Sequence, residues 1–319
     1  MTARITAAYV VNRPSAVEEE SKLVVIAAIA ANVVIATAKF TAAVVTRSSA
    51  MLSEGIHSLI DSGDGCLLLL GAHLGSRPPD ESHPFGHGRE VYFWSFVVAV
   101  MIFAVGGGVS MYEGVLRVLH PEPLRSAVWT FAVLGVSFIF EGTSFLIAAR
   151  HFAKLKKPGV SALAAIRRSR NPSDFMIVLE DSAALIGILI AAAGVTLELV
   201  TGNAVFDGAA SITIGLLLCV VATLLAIQTR GLLVGEGLLS ENAAAIRSLI
   251  ESDAAVERAA PPLSSYLGPE TVVMNVRIRF CRDLRTDEIE DAVERIQQAI
   301  RERHPIVKKI FIAPGRIEP

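Results

Sequence analysis

Charge is scarce in this chain. Only 19% of its 319 residues are Asp, Glu, Lys or Arg, against roughly 25% in soluble domains. With 52% hydrophobic residues and a mean hydropathy of +0.53, that scarcity excludes an ordinary soluble globule and points to a membrane protein. The net charge of −2 leaves no electropositive footprint for nucleic acid. Cysteine is scarce as well: Cys66, Cys219 and Cys281 stand far apart and form no CxxC pair. Neither a disulfide framework nor a structural zinc knuckle is suggested, and we read all three as small apolar fillers. There is no HExxH, no GxSxG and no second intramembrane histidine, which argues against an intramembrane hydrolase and for a protein that is not an enzyme. Residues 1–22 lack a compact apolar region before a small-residue cleavage site. They read as a short cytoplasmic arm, not as a signal peptide.

What is present is a set of long apolar runs. A membrane helix needs about 20 of them in succession, and six segments qualify, near 23–45, 51–74, 91–115, 127–149, 175–197 and 205–227. The expected fold is therefore a membrane all-α bundle of six transmembrane helices over 23–230, in the cytoplasmic membrane. The connection between spans four and five holds Arg150, Lys154, Lys156, Lys157, Arg167, Arg168 and Arg170, whereas the stretch ELVTGN between spans five and six holds no basic residue. Positive charge marks the cytoplasmic side, so that loop, the 2–3 loop and both termini are expected there.

After span six the composition changes, and 231–319 reads as a small cytoplasmic α+β domain. Val272, Met274, Val276, Ile278 and Phe280 alternate with Asn275, Arg277 and Arg279, the period of a half-buried strand. A helix near 241–252, a strand near 263–267 and a helix at 287–302 capped by Thr286 and striped with Ile289, Val293, Ile296 and Ile300 come on either side of it. A last strand at about 306–312 completes an α-β-β-α-β order. About 80 residues make a marginal core, so we expect this domain to pack against a second copy in a homodimer.

The second span breaks the apolar rule. Glu54, His57, Asp61 and Asp64 recur at spacings of 3, 4 and 3, which stacks them on one face of a helix. Ionisable groups in a bilayer are costly and mark ion paths. His57 and Asp61, one turn apart, can reach one ion; imidazole with carboxylate suits Zn²⁺, whereas oxygen-rich sets suit Mn²⁺ and other harder ions. Span five adds adjacent Glu180 and Asp181, of which Asp181 is read as the ligand and Glu180 as an alternate ligand or proton carrier. Asn32 and Asp207 can complete the shell or make inter-helix hydrogen bonds. Lys39 is read as snorkelling to an interface or pairing with an acid, and Glu141 as an ion-path or structural group. Gly106, Gly107 and Gly108 read as a close helix crossing or a bend. In the 2–3 loop, Asp80, His83 and His87 sit among Pro84, Gly86 and Gly88; the cluster either binds metal or orders the turn.

The stretches KFTAAVVTRSSAMLSEGIHSLIDSG (39–63), RPPDESHPFGHGREVYFWS (77–95), YEGVLRVLHPEP (112–123), FEGTSFLIAAR (140–150) and DGAASITIGLLL (207–218) together resemble the cation diffusion facilitator family of metal/proton antiporters. The resemblance implies a ferredoxin-like tail, His57 and Asp61 in the intramembrane transport site, and Asp80, His83 and His87 in a loop that holds another metal in some members. It implies export of a divalent cation, Zn²⁺ first and Mn²⁺ or Fe²⁺ next, in exchange for protons, with the cation as cargo and no cofactor. The chain departs from the family pattern in span five, where the residue four before Asp181 is Ile177 and cannot ligate; Glu180 is offered instead, as in a divergent Glu-Asp branch. His304 is the tail's only histidine, so the tail reads as a dimerisation module. The same fold as a non-transporting, metal-responsive scaffold is the alternative.

Overall fold

The computed structural model describes residues 16–156 and 159–316. The described part begins with α1 (Ala16–Thr46) and α2 (Ser49–Gly75). Next come α3 (Glu90–Met101), a π-helical segment (Ile102–Gly107) and α4 (Gly108–Leu119), which run on as one rod. After α5 (Ala127–Leu155) a short α6 (Ala162–Arg168) interrupts the basic connection, and α7 (Ser173–Thr201) and α8 (Val205–Val234) complete the helical part. Among the described residues, five stretches are long and apolar enough to cross a membrane: Ile29–Thr46, Glu90–Leu119, Ala127–Lys154, Phe175–Thr201 and Val205–Val234. They mark a multi-pass membrane protein. The expected sixth, α2, does not reach that apolarity. At 27 residues it is about 40 Å long, and it packs against α1, α3, α4, α7 and α8, which bury nearly its entire N-terminal half.

The start of α2 is fixed by a carboxylate from another helix. Asp207 of α8 is fully buried. It accepts from Ser48 Oγ (2.5 Å), Ser49 N (2.5 Å) and Ser49 Oγ (2.9 Å), and Arg117 Nε lies 3.6 Å away. An anion at the first N–H groups of a helix satisfies orphan donors and complements the helix dipole. Of the two readings open for Asp207, the inter-helix bond is the observed one. Arg47, at φ 59°, makes the α1–α2 turn, and its carbonyl accepts from Arg117 Nη2.

α4 and α8 cross through paired small residues. A Cβ on Gly114 would meet Gly208 O at 2.8 Å, and one on Gly215 would meet Gly107 O at 2.9 Å, while one on Gly107 would overlap Cys219 Sγ. Both pairs repeat after seven residues, so the backbones approach closely along two turns. The expected glycine crossing is present, and the π-helical segment beside it widens the helix where Gly106 faces Ile60 of α2.

The C-terminal part runs α9 (Ser240–Glu251), β1 (Val256–Ala259), β2 (Leu263–Gly268), β3 (Thr271–Phe280), α10 (Thr286–Arg303), β4 (Val307–Pro314). β3 is central: β4 pairs parallel along one edge, while β1 and β2 pair antiparallel with its two ends along the other. Val272, Met274, Val276 and Ile278 pack against Ile246, Ile250, Ile296 and Ile300. The expected order omitted β1, whose VERA sequence is short and half charged. Thr286 is the first helical residue, not the cap; Glu288 instead accepts from Arg285 N at 2.7 Å. This part sits at the bundle end that carries the 76–89 loop and the basic connection. Arg89 Nη2 donates to Ser265 Oγ (3.1 Å), Arg170 pairs with Glu236 (2.8 Å), and Phe85 stacks edge-on against Phe311.

Because Asp207 serves buried donors, Asp207→Ala should lower stability by roughly 2–4 kcal/mol. Thermal unfolding of the purified protein in detergent reads this, and an unchanged midpoint would contradict the assigned role.

Candidate metal centre

Along α2 the polar face points into the bundle. His57 is 2% exposed, and its Nδ1 lies 3.4 Å from Asp61 Oδ1. Neither ring nitrogen has a hydrogen-bond partner, and neither does Asp61 Oδ1. Asp64, one turn further, is buried with both carboxyl oxygens unpartnered. Each buried group left this way costs about 1–3 kcal/mol, so a cluster of them on one helix face is a standing penalty that a cation would relieve.

α7 supplies the opposing acids. Glu180 is buried with Oε1 unpartnered, and it lies in the electrostatic field of Asp61 and Asp181, as Asp64 lies in that of Glu180. Asp181 is half-buried and accepts from Ser144 Oγ of α5 at 2.8 Å. Ile177 is 42% exposed, turned from the bundle interior. His57 and Asp61 are thus together; Glu180 and Asp181 are near them in charge but are not drawn onto one point. Among the described residues, the only three-ligand grouping within 4.8 Å is in the loop.

That loop is tightly built. Asp80 Oδ2 lies 2.9 Å from His87 Nε2, and Asp80 Oδ1 accepts from His83 N (2.6 Å) and Ser82 Oγ (2.8 Å). The His83 and His87 rings lie 4.1 Å apart between centroids. Gly86, at φ 91°, reverses the chain, and its N–H donates to His83 O at 2.9 Å. The Ser82 hydroxyl, the His83 N–H and His87 hold the Asp80 carboxyl well below the usual carboxylate range. A depressed carboxyl contributes stability above the ordinary range and loses it as pH falls through the lowered value. Turn order and ligand geometry therefore coexist in the loop, since its ordering bonds use atoms that an ion could take.

Lys39 corrects one reading. It does not snorkel: it is fully buried, with Nζ 3.0 Å from Glu54 Oε2, 2.8 Å from Ser58 Oγ and 3.7 Å from Glu141 Oε1. Glu54 and Glu141 are consequently engaged with it. Of the remaining residues, His73, His120 and His151 are exposed, as expected of interfacial groups, and Asn32 is half-buried. Asp64, which the spacing places on the 54–57–61–64 face without a ligand role, is a buried acid with both oxygens unpartnered.

The family model described as the cation efflux transmembrane domain matches residues 25–234, two thirds of the chain and all of the polar face just described. The chain belongs to the cation diffusion facilitator family. Members of this family are transporters, not enzymes. The human mitochondrial proton-coupled zinc antiporter SLC30A9 is 35% identical over 243 residues, covering 76% of this chain and 43% of that protein. Metal tolerance protein C4 of Arabidopsis thaliana is 29% identical over 264 residues, 82% of this chain and 58% of that protein. The manganese efflux system protein MneS of Bacillus subtilis is 26% identical over 280 residues, 87% and 90%. The chain spans about half the length of the first two and nearly all of the third. Within this facilitator fold, the unpartnered groups on α2 and α7 lie inside the matched region, and the sheet part lies beyond it.

An unpartnered buried acid implies a trade of stability for use. Asp64→Leu should raise the thermal midpoint of the metal-free protein, by the equivalent of about 1–3 kcal/mol. A lowered midpoint would mean that Asp64 is satisfied in a way these contacts do not include.

Proposed function

We propose that this protein is a secondary transporter that exports a divalent cation, Zn²⁺ first and Mn²⁺ or Fe²⁺ next, in exchange for protons. The observation that carries the reading is the buried His57–Asp61 pair with unpartnered atoms on α2, which packs against the α7 helix that carries Glu180 and Asp181. On this reading α2 is the sixth crossing, shielded from lipid by its neighbours. The loop, the basic connection and the sheet part face the cytoplasm in the cytoplasmic membrane, in keeping with the positive-inside rule. The sheet part and the membrane helices join two copies in a homodimer.

The proposed cycle follows from the ligand chemistry. A dication arriving from the loop side is received by His57 and Asp61. Asp181 leaves Ser144 to join them, with Glu180 or water as the fourth donor of a tetrahedral shell. Ion binding displaces protons from these groups and ion release lets them return, which couples the two fluxes. The differential affinity of the inward-open and outward-open states must drive the switch. One imidazole among carboxylates is a harder donor set than two imidazoles, which keeps Mn²⁺ in contention. The names of SLC30A9 as a zinc antiporter and MneS as a manganese efflux protein bracket the same choice. The loop triad of Asp80, His83 and His87 is proposed as a separate cytoplasmic ion site.

A second reading, a metal-responsive scaffold that binds without transport, draws on Ile177 turned outward and Asp181 held by Ser144. Proteoliposome flux under an imposed pH gradient separates the two. The unmutated protein should move Zn²⁺ against the gradient, Asp61→Ala and Asp181→Ala should each lose more than about tenfold in rate, and Glu180→Gln should change the Zn²⁺/Mn²⁺ ratio. Tight binding without flux would favour the scaffold, and unchanged rates in both alanine variants would reject the site.

A further inference from the structure

Lys39 is the feature that metal transport leaves unexplained. An ammonium buried in a helix bundle is expensive unless it is paired and hydrogen-bonded, and this one has been given a complete oxygen environment. Three oxygen atoms from two helices surround it: Glu54 Oε2 and Ser58 Oγ of α2 accept from Nζ at 3.0 and 2.8 Å, and Glu141 Oε1 of α5 lies 3.7 Å away. Glu54 Oε1 remains unpartnered in a fully buried side chain. It points at Gly187 of α7, where any Cβ would overlap it. α7 has therefore left room for a carboxylate that the Lys39 bond uses on only one oxygen.

We infer that Glu54, Ser58 and Glu141 form a second cation site in the bundle, filled by the chain's own Lys39 ammonium as a tethered occupant. Two carboxylates and a hydroxyl are a hard, all-oxygen set of the kind that takes Mn²⁺, Mg²⁺ or Ca²⁺. Their formal charge of −2 matches a dication. Lys39 supplies only one positive charge, but it is tethered to α1 and needs no binding from solution, so it outcompetes a free ion by effective concentration. The consequence concerns specificity. Glu54 lies three residues from His57, and without a resident cation this acid pair would be a competing resting place one helical turn from His57 and about two from Asp61. The tethered ammonium closes that place and leaves the His57–Asp61 position as the one open to a dication. The inference goes beyond the transport proposal, which does not use Lys39.

Ion counting on the full-length protein in detergent, with ⁵⁴Mn²⁺ by equilibrium dialysis, tests this. Lys39→Met should bind an additional Mn²⁺ per chain relative to the unmutated protein, and Lys39→Arg should not. The additional ion should disappear in Lys39→Met/Glu54→Gln and in Lys39→Met/Glu141→Gln. A monodisperse Lys39→Met protein with the parent count overturns the proposal, as does an additional ion that survives both double variants. If Lys39→Met is not monodisperse, Lys39→Ala is purified with labelled propylammonium in place of the lost side chain. Stoichiometric displacement of the label by Mn²⁺ supports the tethered-occupant reading, and retention of the label in saturating Mn²⁺ overturns it. The parent count reads the His57–Asp61 position together with the loop triad, and only the increment reads this site, so the failure of this proposal is distinguishable from the failure of the transport reading.

Discussion

Burying a helix that carries Glu54, His57, Asp61 and Asp64 inside an apolar bundle is the constraint on which this structure depends. Ionisable groups at bilayer depth must face protein, water or an ion, so α2 has to be enclosed, and the rest of the architecture encloses it. Asp207 and Ser48 pin its first turn. The paired glycines of α4 and α8 draw two neighbouring helices together, and the π-helical segment before α4 lies against α2 between His57 and Asp61. The polar face then divides into two environments. Glu54 and Ser58 bond to Lys39, with Glu54 Oε1 left over; the His57 ring nitrogens, Asp61 Oδ1 and both Asp64 oxygens have no hydrogen-bond partner. That contrast within one helix separates a cluster filled by the chain's own ammonium from one that is proposed to receive an ion.

The two acids of α7 divide in the same way. Asp181 has a hydrogen-bond donor in Ser144, whereas Glu180 keeps an unpartnered oxygen beside Asp61 and Asp64. The proposed ligand set is consequently distributed over α2 and α7 without converging, with Asp181 held by a hydroxyl worth roughly 1.5–3 kcal/mol to an ionised carboxylate. On the proposed reading, ion binding exchanges that bond for coordination to the dication.

Much of the membrane part was legible in the sequence because hydropathy and helical spacing are local signals. The runs at 91–115, 127–149, 175–197 and 205–227 match the starts of α3–α4, α5, α7 and α8 to within two residues, while each helix runs four to seven residues further at its end. The i, i+4 spacing placed His57 against Asp61. What was not legible was pairing between distant residues. Lys39 meets Glu54 across 15 positions and Glu141 across about a hundred, and Asp207 reaches Ser48 across 159; no periodicity encodes such contacts. The strand β1 was missed for the opposite reason, since VERA is short and takes its identity from pairing with the end of β3. Ile177 was readable as a non-ligand from its chemistry, and its outward orientation agrees.

The central claim is that one imidazole and a set of carboxylates, drawn from α2 and α7, hold the transported ion. X-ray absorption at the zinc edge tests it most directly, on Zn²⁺-loaded protein carrying Asp80→Ala so that the loop contributes no signal. The account predicts a first shell at about 2.0 Å composed of a single histidine nitrogen with oxygens, and loss of the imidazole signature when His57→Ala is added. A shell with two or more imidazoles, a sulfur ligand, or a spectrum unchanged by His57→Ala would contradict it.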